Sequence, residues 1–187
     1  AALMVEPIQG EGGINLPPPE FLPGLRRLAD EHELLLIFDE VQTGCGRTGE
    51  WFAYQHFGVT PDVMTLAKAV CGGVAGGALL TTPEIAPSLR PGMHAATFGG
   101  NPLAARADIA TLEMIEQEGL LEHAKQLGEL FRKRLEALKS HCDLIRDVRV
   151  VGEMVVVELS FDGAWVVEEC LKRKLRVNCT HGTVLRL

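Results

Sequence analysis

The sequence predicts an α/β fold followed by a smaller α+β part, on two observations. Short apolar runs alternate with Gly/Pro-rich loops and one helical segment over the first hundred residues, and beyond Asn101 the texture turns helical before returning to strands. Ala2–Val5, Leu34–Phe38, Val63–Leu66 and Ala78–Thr81 are brief, apolar and bounded by turn residues, which suits strands buried on both faces of a parallel sheet. Between the first two, residues 20–33 carry Leu22, Leu25, Leu28 and Ala29 at helical spacing, with Pro19 and Pro23 near the start.

Asn101-Pro102 reads as a cap followed by a proline in the first turn of a helix. Leu103, Ala107, Ala110, Leu112 and Ile115 continue it to Glu118-Gly119, and a charged amphipathic run from Leu120 to Leu138 follows. Further on, Ile145–Val151, Met154–Leu159, Leu175–Cys179 and Val184–Leu187 read as strands, with Ala164–Arg173 as a helix between them. The expected division is residues 1–100 as part of a large α/β domain, 101–140 as connecting long helices, and 141–187 as part of a small α+β domain. Both ends lie inside apolar runs, which reads as a piece of a longer chain.

Composition excludes several classes. A chain of 187 residues with 47% hydrophobic and 23% charged residues is globular rather than disordered. A net charge of -7 argues against a nucleic-acid partner, which calls for a basic face. No apolar run approaches membrane-spanning length, so no membrane role is expected. Cys45, Cys71, Cys142, Cys170 and Cys179 are odd in number and never form a C-x-x-C pair, which points to a reducing cytoplasm, with a mitochondrial matrix left open. His32, His56, His123 and His141 lack ligand spacing, so no metal is expected, while His94 and His181 stand as site neighbours. Trp51, Phe52 and Phe57 read as packing. Gly72-Gly73 and Gly76-Gly77 lack the following Gly-Lys-Ser/Thr of a nucleotide loop.

Chemistry gathers at strand ends, where open α/β sheets place their sites. Residues 34–38 run straight into Asp39 and Glu40, and the strand over 63–66 delivers Lys68 into a glycine-rich loop. Taken alone, the carboxylates are ordinary strand-end polar groups and the lysine a solvated surface charge. A lysine delivered by a buried strand, however, is expected to lose hydration, which lowers its pKa and suits it to Schiff-base and proton-transfer work. Asp, Lys and the glycine loop together have one chemical reading. Pyridoxal phosphate needs a lysine for its aldehyde and an acid beside its ring nitrogen.

Asp39-Glu40-Val41-Gln42-Thr43-Gly44, Gly46-Arg47-Thr48-Gly49, Asp62 through Lys68 and Gly72-Gly73 resemble the signature of class III, pyridoxal-phosphate-dependent aminotransferases. Val5 through Gly13, His94 through Ala104, and Asn178 through Leu187 are similar to further segments of the same family, of its acetylornithine/ornithine type. The resemblance covers nearly the whole chain. It implies a fold-type I transferase: part of the large mixed or parallel-sheet domain plus part of the small one. It further implies that Lys68 carries the cofactor and shuttles the proton, that Asp39 pairs with the ring nitrogen, and that Val41 packs on the ring. Gln42 is implied near the phenolic oxygen, and Thr97 on the phosphate of the neighbouring subunit in a homodimer. Glu11 and Arg186 are implied as a salt bridge that opens so that the arginine takes a carboxylate of 2-oxoglutarate.

The reaction so implied moves the terminal amine of N-acetylornithine or ornithine to 2-oxoglutarate. 4-Aminobutyrate and succinylornithine aminotransferases, an aminomutase, and a non-catalytic piece that only folds or dimerises stay open as alternatives. Many relatives have proline and a larger apolar residue where Ala75 and Gly76 stand, and often a glycine among Val155–Val157. The family's phosphate-binding loop, ring-stacking aromatic and carboxylate-binding arginine lie upstream of the segment matched by residue 1.

Overall fold

Alternation along one strand shows how the two halves of the chain are joined. In the computed structural model, which describes residues 1–187, strand Met154–Leu159 sends Met154 and Val156 to one side, against Ile8, Ile14, Ala53 and Val184. Val155, Val157 and Leu159 point to the other, into a cluster that includes Val148, Val150 and Leu185 and is covered by Phe131, Leu135, Val166 and Val167. Each such side chain, fully buried, contributes roughly 1.5–3 kcal/mol. The valines of this strand are therefore core on both faces.

Two four-stranded sheets make up the fold. In the first, β1 (Ala2–Val5), β2 (Leu35–Asp39) and β3 (Val63–Leu66) run parallel, and β4 (Ala78–Thr81) pairs antiparallel with β3. Helix α1 (Phe21–Glu31) covers one face through Leu22 and Ala29, which pack on Leu36 and Phe38. The expectation of four parallel strands buried on both faces is corrected in two respects. Residues 67–77 are too few for a parallel crossover, and a tight turn consumes part of them, so β4 reverses. Met4 and Leu79, 56% and 54% exposed, show that the outer strands have an open face.

Asn101 caps α2 (Pro102–Gln117), its Oδ1 accepting from the Ala104 N–H at 2.8 Å, and α3 (Leu120–Lys139) follows. The second sheet has the order β5-β6-β8-β7, with β5 (Ile145–Val151), β6 (Met154–Leu159), β7 (Asn178–Thr180) and β8 (Val184–Arg186) all antiparallel. Helix α4 (Ala164–Lys172) lies between β6 and β7 in sequence. The strand expected from Leu175 starts only at Asn178. Lys174 ends the α4 region in a left-handed turn, φ +63°, and the Leu175 N–H bonds back to the Cys170 carbonyl.

Glycine contacts lock the second sheet to the first half. Gly152, in the β5–β6 turn at φ +54°, backs onto Thr48 so closely that a Cβ would lie 2.5 Å from the Thr48 carbonyl carbon. From α3, a Cβ on Gly128 would lie 2.6 Å from the Gly152 oxygen. The Glu153 N–H donates to the Arg47 carbonyl at 3.0 Å. Gly152→Ala is expected to destabilise the protein by about 3 kcal/mol, combining left-handed strain with backbone displacement. An unchanged denaturant midpoint would show that the turn and the Arg47–Thr48 loop are not packed this way.

Candidate active site

Asp39 and Glu40 are neighbours that the strand sends to opposite faces. Glu40 turns inward and is 1% exposed. It accepts from the Ala53 N–H at 3.0 Å, the Tyr54 N–H at 2.9 Å and the Thr43 hydroxyl, and so ties the turn after β2 to the short 3-10 helix Ala53–Phe57. Burial pushes its carboxyl pKa above the ordinary value, although those three donors act in the other direction.

Asp39 faces the opposite side and is half-buried. Its Oδ1 accepts from the Val41 N–H at 3.0 Å, and its Oδ2 has no partner in the chain. Asp39 is the register partner of Thr65 on β3, so both side chains share a face. The Thr65 hydroxyl oxygen is buried without a hydrogen bond. A carboxylate oxygen and a hydroxyl are thus left unpaired side by side on this sheet end, as a site awaiting a polar group would leave them.

Lys68 opens the 3-10 turn Lys68–Cys71 that follows β3. Its φ is +51°, a left-handed conformation that a non-glycine residue adopts at some cost. Buried Val70 and Cys71 hold the turn, and Thr111 of α2 stands 2.7 Å from where a Gly72 Cβ would be. Lys68 itself is exposed and in no ion pair. The loss of hydration expected from its strand-end position is therefore not supplied by these residues, which leave this face of the sheet uncovered.

Arg186, at the end of β8, bonds two partners with two different nitrogens. Nη1 donates to Glu11 Oε2 at 2.8 Å and Nη2 to Gln42 Oε1 at 3.0 Å. Glu11 sits on a loop closed by paired Gln9 and Asn15 backbones and clasped from the second sheet. Arg149 of β5 supplies that clasp by donating to the Gly13 carbonyl at 2.9 Å while pairing with Glu158 at 2.6 Å and Asp147 at 2.8 Å. Burial works against the Arg149 charge, but hydrogen bonds to Glu158 and Asp147 outweigh it and raise its pKa above the ordinary value. His181 contacts the Glu11 carbonyl at 3.2 Å.

Val41, Gln42, Arg47, Lys68, Met154 and Arg186 line one cavity of about 250 Å³ between the two sheets. Larger hollows beside Met4 and Phe21, about 500 Å³, and beside Thr97 and Asn101, about 620 Å³, gather no comparable set of charged and amide groups. The smaller one is therefore the candidate site. The structure brings together Lys68, Val41, Gln42, Arg186 and, through Arg186, Glu11, while Asp39 stands at the adjoining strand end. Thr97 lies apart, in the exposed run over residues 91–100, and touches none of them within this chain.

Sequence reasoning gave no role to Glu40, Thr65, Arg47 or Arg149. The period of two along β2 and β3 carried a signal for Glu40 and Thr65. Arg47 stood in a motif-like run without a role of its own, and Arg149 had no signal, since its position depends on contacts between distant segments. Gly76 packs closely on the turn after Lys68: a Cβ there would be 2.4 Å from Cys71 Sγ, so a larger residue would have to displace that thiol. Cys45 is inert, its thiol pushed up to about 11 by burial, with Asp108 adding to the effect.

Comparison with known proteins adds the family. The sequence model described as Aminotransferase class-III matches residues 1–187. The chain belongs to this family. Class III aminotransferases depend on pyridoxal phosphate. Acetylornithine aminotransferase of Methanocaldococcus jannaschii is 47% identical over 186 residues, which is all of this chain and 47% of that protein. The crystal structure of acetylornithine aminotransferase from Elizabethkingia anophelis superposes with a TM-score of 0.93 at 41% identity, over all of this chain and 50% of that one. Ornithine aminotransferase from Toxoplasma gondii, in a structure with partial occupancy of pyridoxal phosphate at its active site, gives 0.95 at 37% identity, over all of this chain and 45% of that one. The chain spans about half the length of the curated relatives it matches. No helix is long and apolar enough to cross a membrane.

Proposed function

We propose that the protein is a transaminase that moves the terminal amine of N-acetylornithine or ornithine to 2-oxoglutarate, giving the semialdehyde and glutamate, and that it works as a homodimer in the cytoplasm. The observation that carries this reading is the convergence of Lys68, Gln42 and Arg186 on one cavity beside a carboxylate with an unpaired oxygen. The names of the relatives support the substrate class.

These residues fit pyridoxal phosphate. Asp39 Oδ2 is an acceptor placed for a protonated ring nitrogen, and the unpaired Thr65 hydroxyl lies on the same face. When bound, the cofactor supplies an electron sink that acidifies the substrate carbon bearing the amine. Lys68 Nζ would hold the cofactor aldehyde and would serve as the base for the proton on that carbon. Asp39 would keep positive charge on the ring nitrogen. Val41 would supply an apolar contact to the ring. Gln42 would offer an N–H to the phenolic oxygen, since its amide oxygen is taken by Arg186. Arg186, released from Glu11, presents a fork to a carboxylate of the oxo acid. Thr97, exposed and outside the cavity that Lys68 lines in its own chain, would serve the phosphate in the neighbouring subunit's site.

Amino donors separate this reading from its neighbours. With 2-oxoglutarate as acceptor, the full-length protein is expected to form glutamate from N-acetylornithine or ornithine with kcat/KM at least about tenfold above that with 4-aminobutyrate. A preference for 4-aminobutyrate would overturn the substrate assignment, and a preference for succinylornithine would narrow it to a different acyl group.

A further inference from the structure

Arg186 has two partners of unequal exposure. Glu11, on Nη1, has a side chain 73% exposed on a loop, whereas the Arg186 side chain is only 21% exposed. Gln42, on Nη2, is half-buried in the turn that Glu40 fixes from beneath. Gly10 walls its amide: a Cβ there would fall 2.6 Å from both Gln42 Cδ and Oε1, and 2.9 Å from Nε2. Gly10 is itself buried and held by its N–H to Glu6 Oε2 at 2.8 Å. The amide therefore lies flat on bare backbone with little room to turn.

We infer that Gln42 is the fixed anchor that keeps Arg186 aimed when Glu11 leaves it, a positioning residue for carboxylate recognition. The inference rests on the proposed function for the identity of the carboxylate. Because the two bonds use separate nitrogens, Nη1 and the rest of the fork can be vacated by Glu11 while Nη2 stays in place. A guanidinium only donates, so the Gln42 atom it meets must be the amide oxygen. The remaining NH2 is then the free group of a side chain that lines the Lys68 cavity, and it can meet only an acceptor. One side chain thereby ties the aim of Arg186 to the cofactor side of the site. Gly10 is required for that tie, through space rather than by a bond.

The test is a crystal structure of full-length Glu11→Ala together with calorimetric binding of glutarate, an unreactive dicarboxylate, to cofactor-free protein. In Glu11→Ala, Arg186 is expected to remain hydrogen-bonded to Gln42, and glutarate to bind at least about threefold more tightly as its competitor is removed. Gln42→Ala should weaken glutarate about tenfold. Gly10→Ala should weaken it in the same direction by displacing the amide. Gln42→Glu, nearly isosteric, should weaken it at least as much as Gln42→Ala, because a second carboxylate competes for the fork. An Arg186 that swings away in Glu11→Ala, or glutarate affinity unchanged in Gln42→Ala and Gln42→Glu, would overturn the inference. Failure of Lys68 to carry the cofactor, with Arg186 still on Gln42, would instead sink the proposed function and leave the anchor standing.

Discussion

Lys68→Ala is expected to lower transaminase turnover of the full-length protein about ten-thousandfold or more, since it removes both the covalent attachment and the proton carrier. The fold should hardly notice. Lys68 is exposed and in no ion pair, and alanine inherits the same left-handed backbone, so unfolding free energy should move by less than about 0.5 kcal/mol. The pair of measurements matters more than either alone, because loss of turnover with intact stability places the lysine in the chemistry rather than in the packing. Turnover within tenfold of the parent would remove Lys68 from the mechanism.

Glu40→Ala is expected to do the reverse of this, lowering stability by about 3 kcal/mol and activity only as the site loosens. Two buried backbone N–H groups, of Ala53 and Tyr54, lose their acceptor at about 1–3 kcal/mol each, and relief of the buried carboxylate offsets part of this. Glu40→Gln should cost about half as much, its single amide oxygen serving one N–H while its NH2 opposes the other. The pH dependence carries a sign. Burial raises the folded-state pKa of Glu40 above the ordinary 4.5, so folding takes up a proton. The wild type should therefore lose stability relative to Glu40→Gln as pH rises from about 4.5 through the raised value, with a constant difference above and below that window. A difference that instead grows in favour of the wild type as pH rises towards about 4.5, and is flat above it, would mean that the donors, not burial, dominate.

Much of the fold was legible because it follows from local periodicity. The apolar run Met154–Leu159, the helical repeat in Leu120–Leu138 and the Asn101-Pro102 start all reappear in the structure within a residue or two. What could not be read depends on segments meeting. The antiparallel turn of β4 follows from how the Lys68–Cys71 turn uses up its connection, and the late start of β7 from the left-handed Lys174. The site divides in the same way. Lys68, Gln42 and Arg186 were named from motif-like runs, and they line one cavity although Arg186 comes from the far end of the chain. Glu40 shared a motif with Asp39, yet its role as the buried tie of the loop appeared only once Ala53 and Tyr54 were seen to point at it. The hydration of Lys68 could not be read from its strand alone, because it depends on what covers the second face of the sheet, and these residues leave that face open.

The attachment point of the cofactor tests the central claim most directly. The full-length protein, loaded with pyridoxal phosphate, is reduced with borohydride to fix the carbon–nitrogen double bond as a stable amine, then digested and mapped by mass spectrometry. A pyridoxyl group on Lys68 is the result expected, together with its absence from the Asp39→Ala protein unless cofactor is supplied in large excess. A pyridoxyl group on Lys125 or another lysine, or none at all in protein that stays folded, would contradict the assignment.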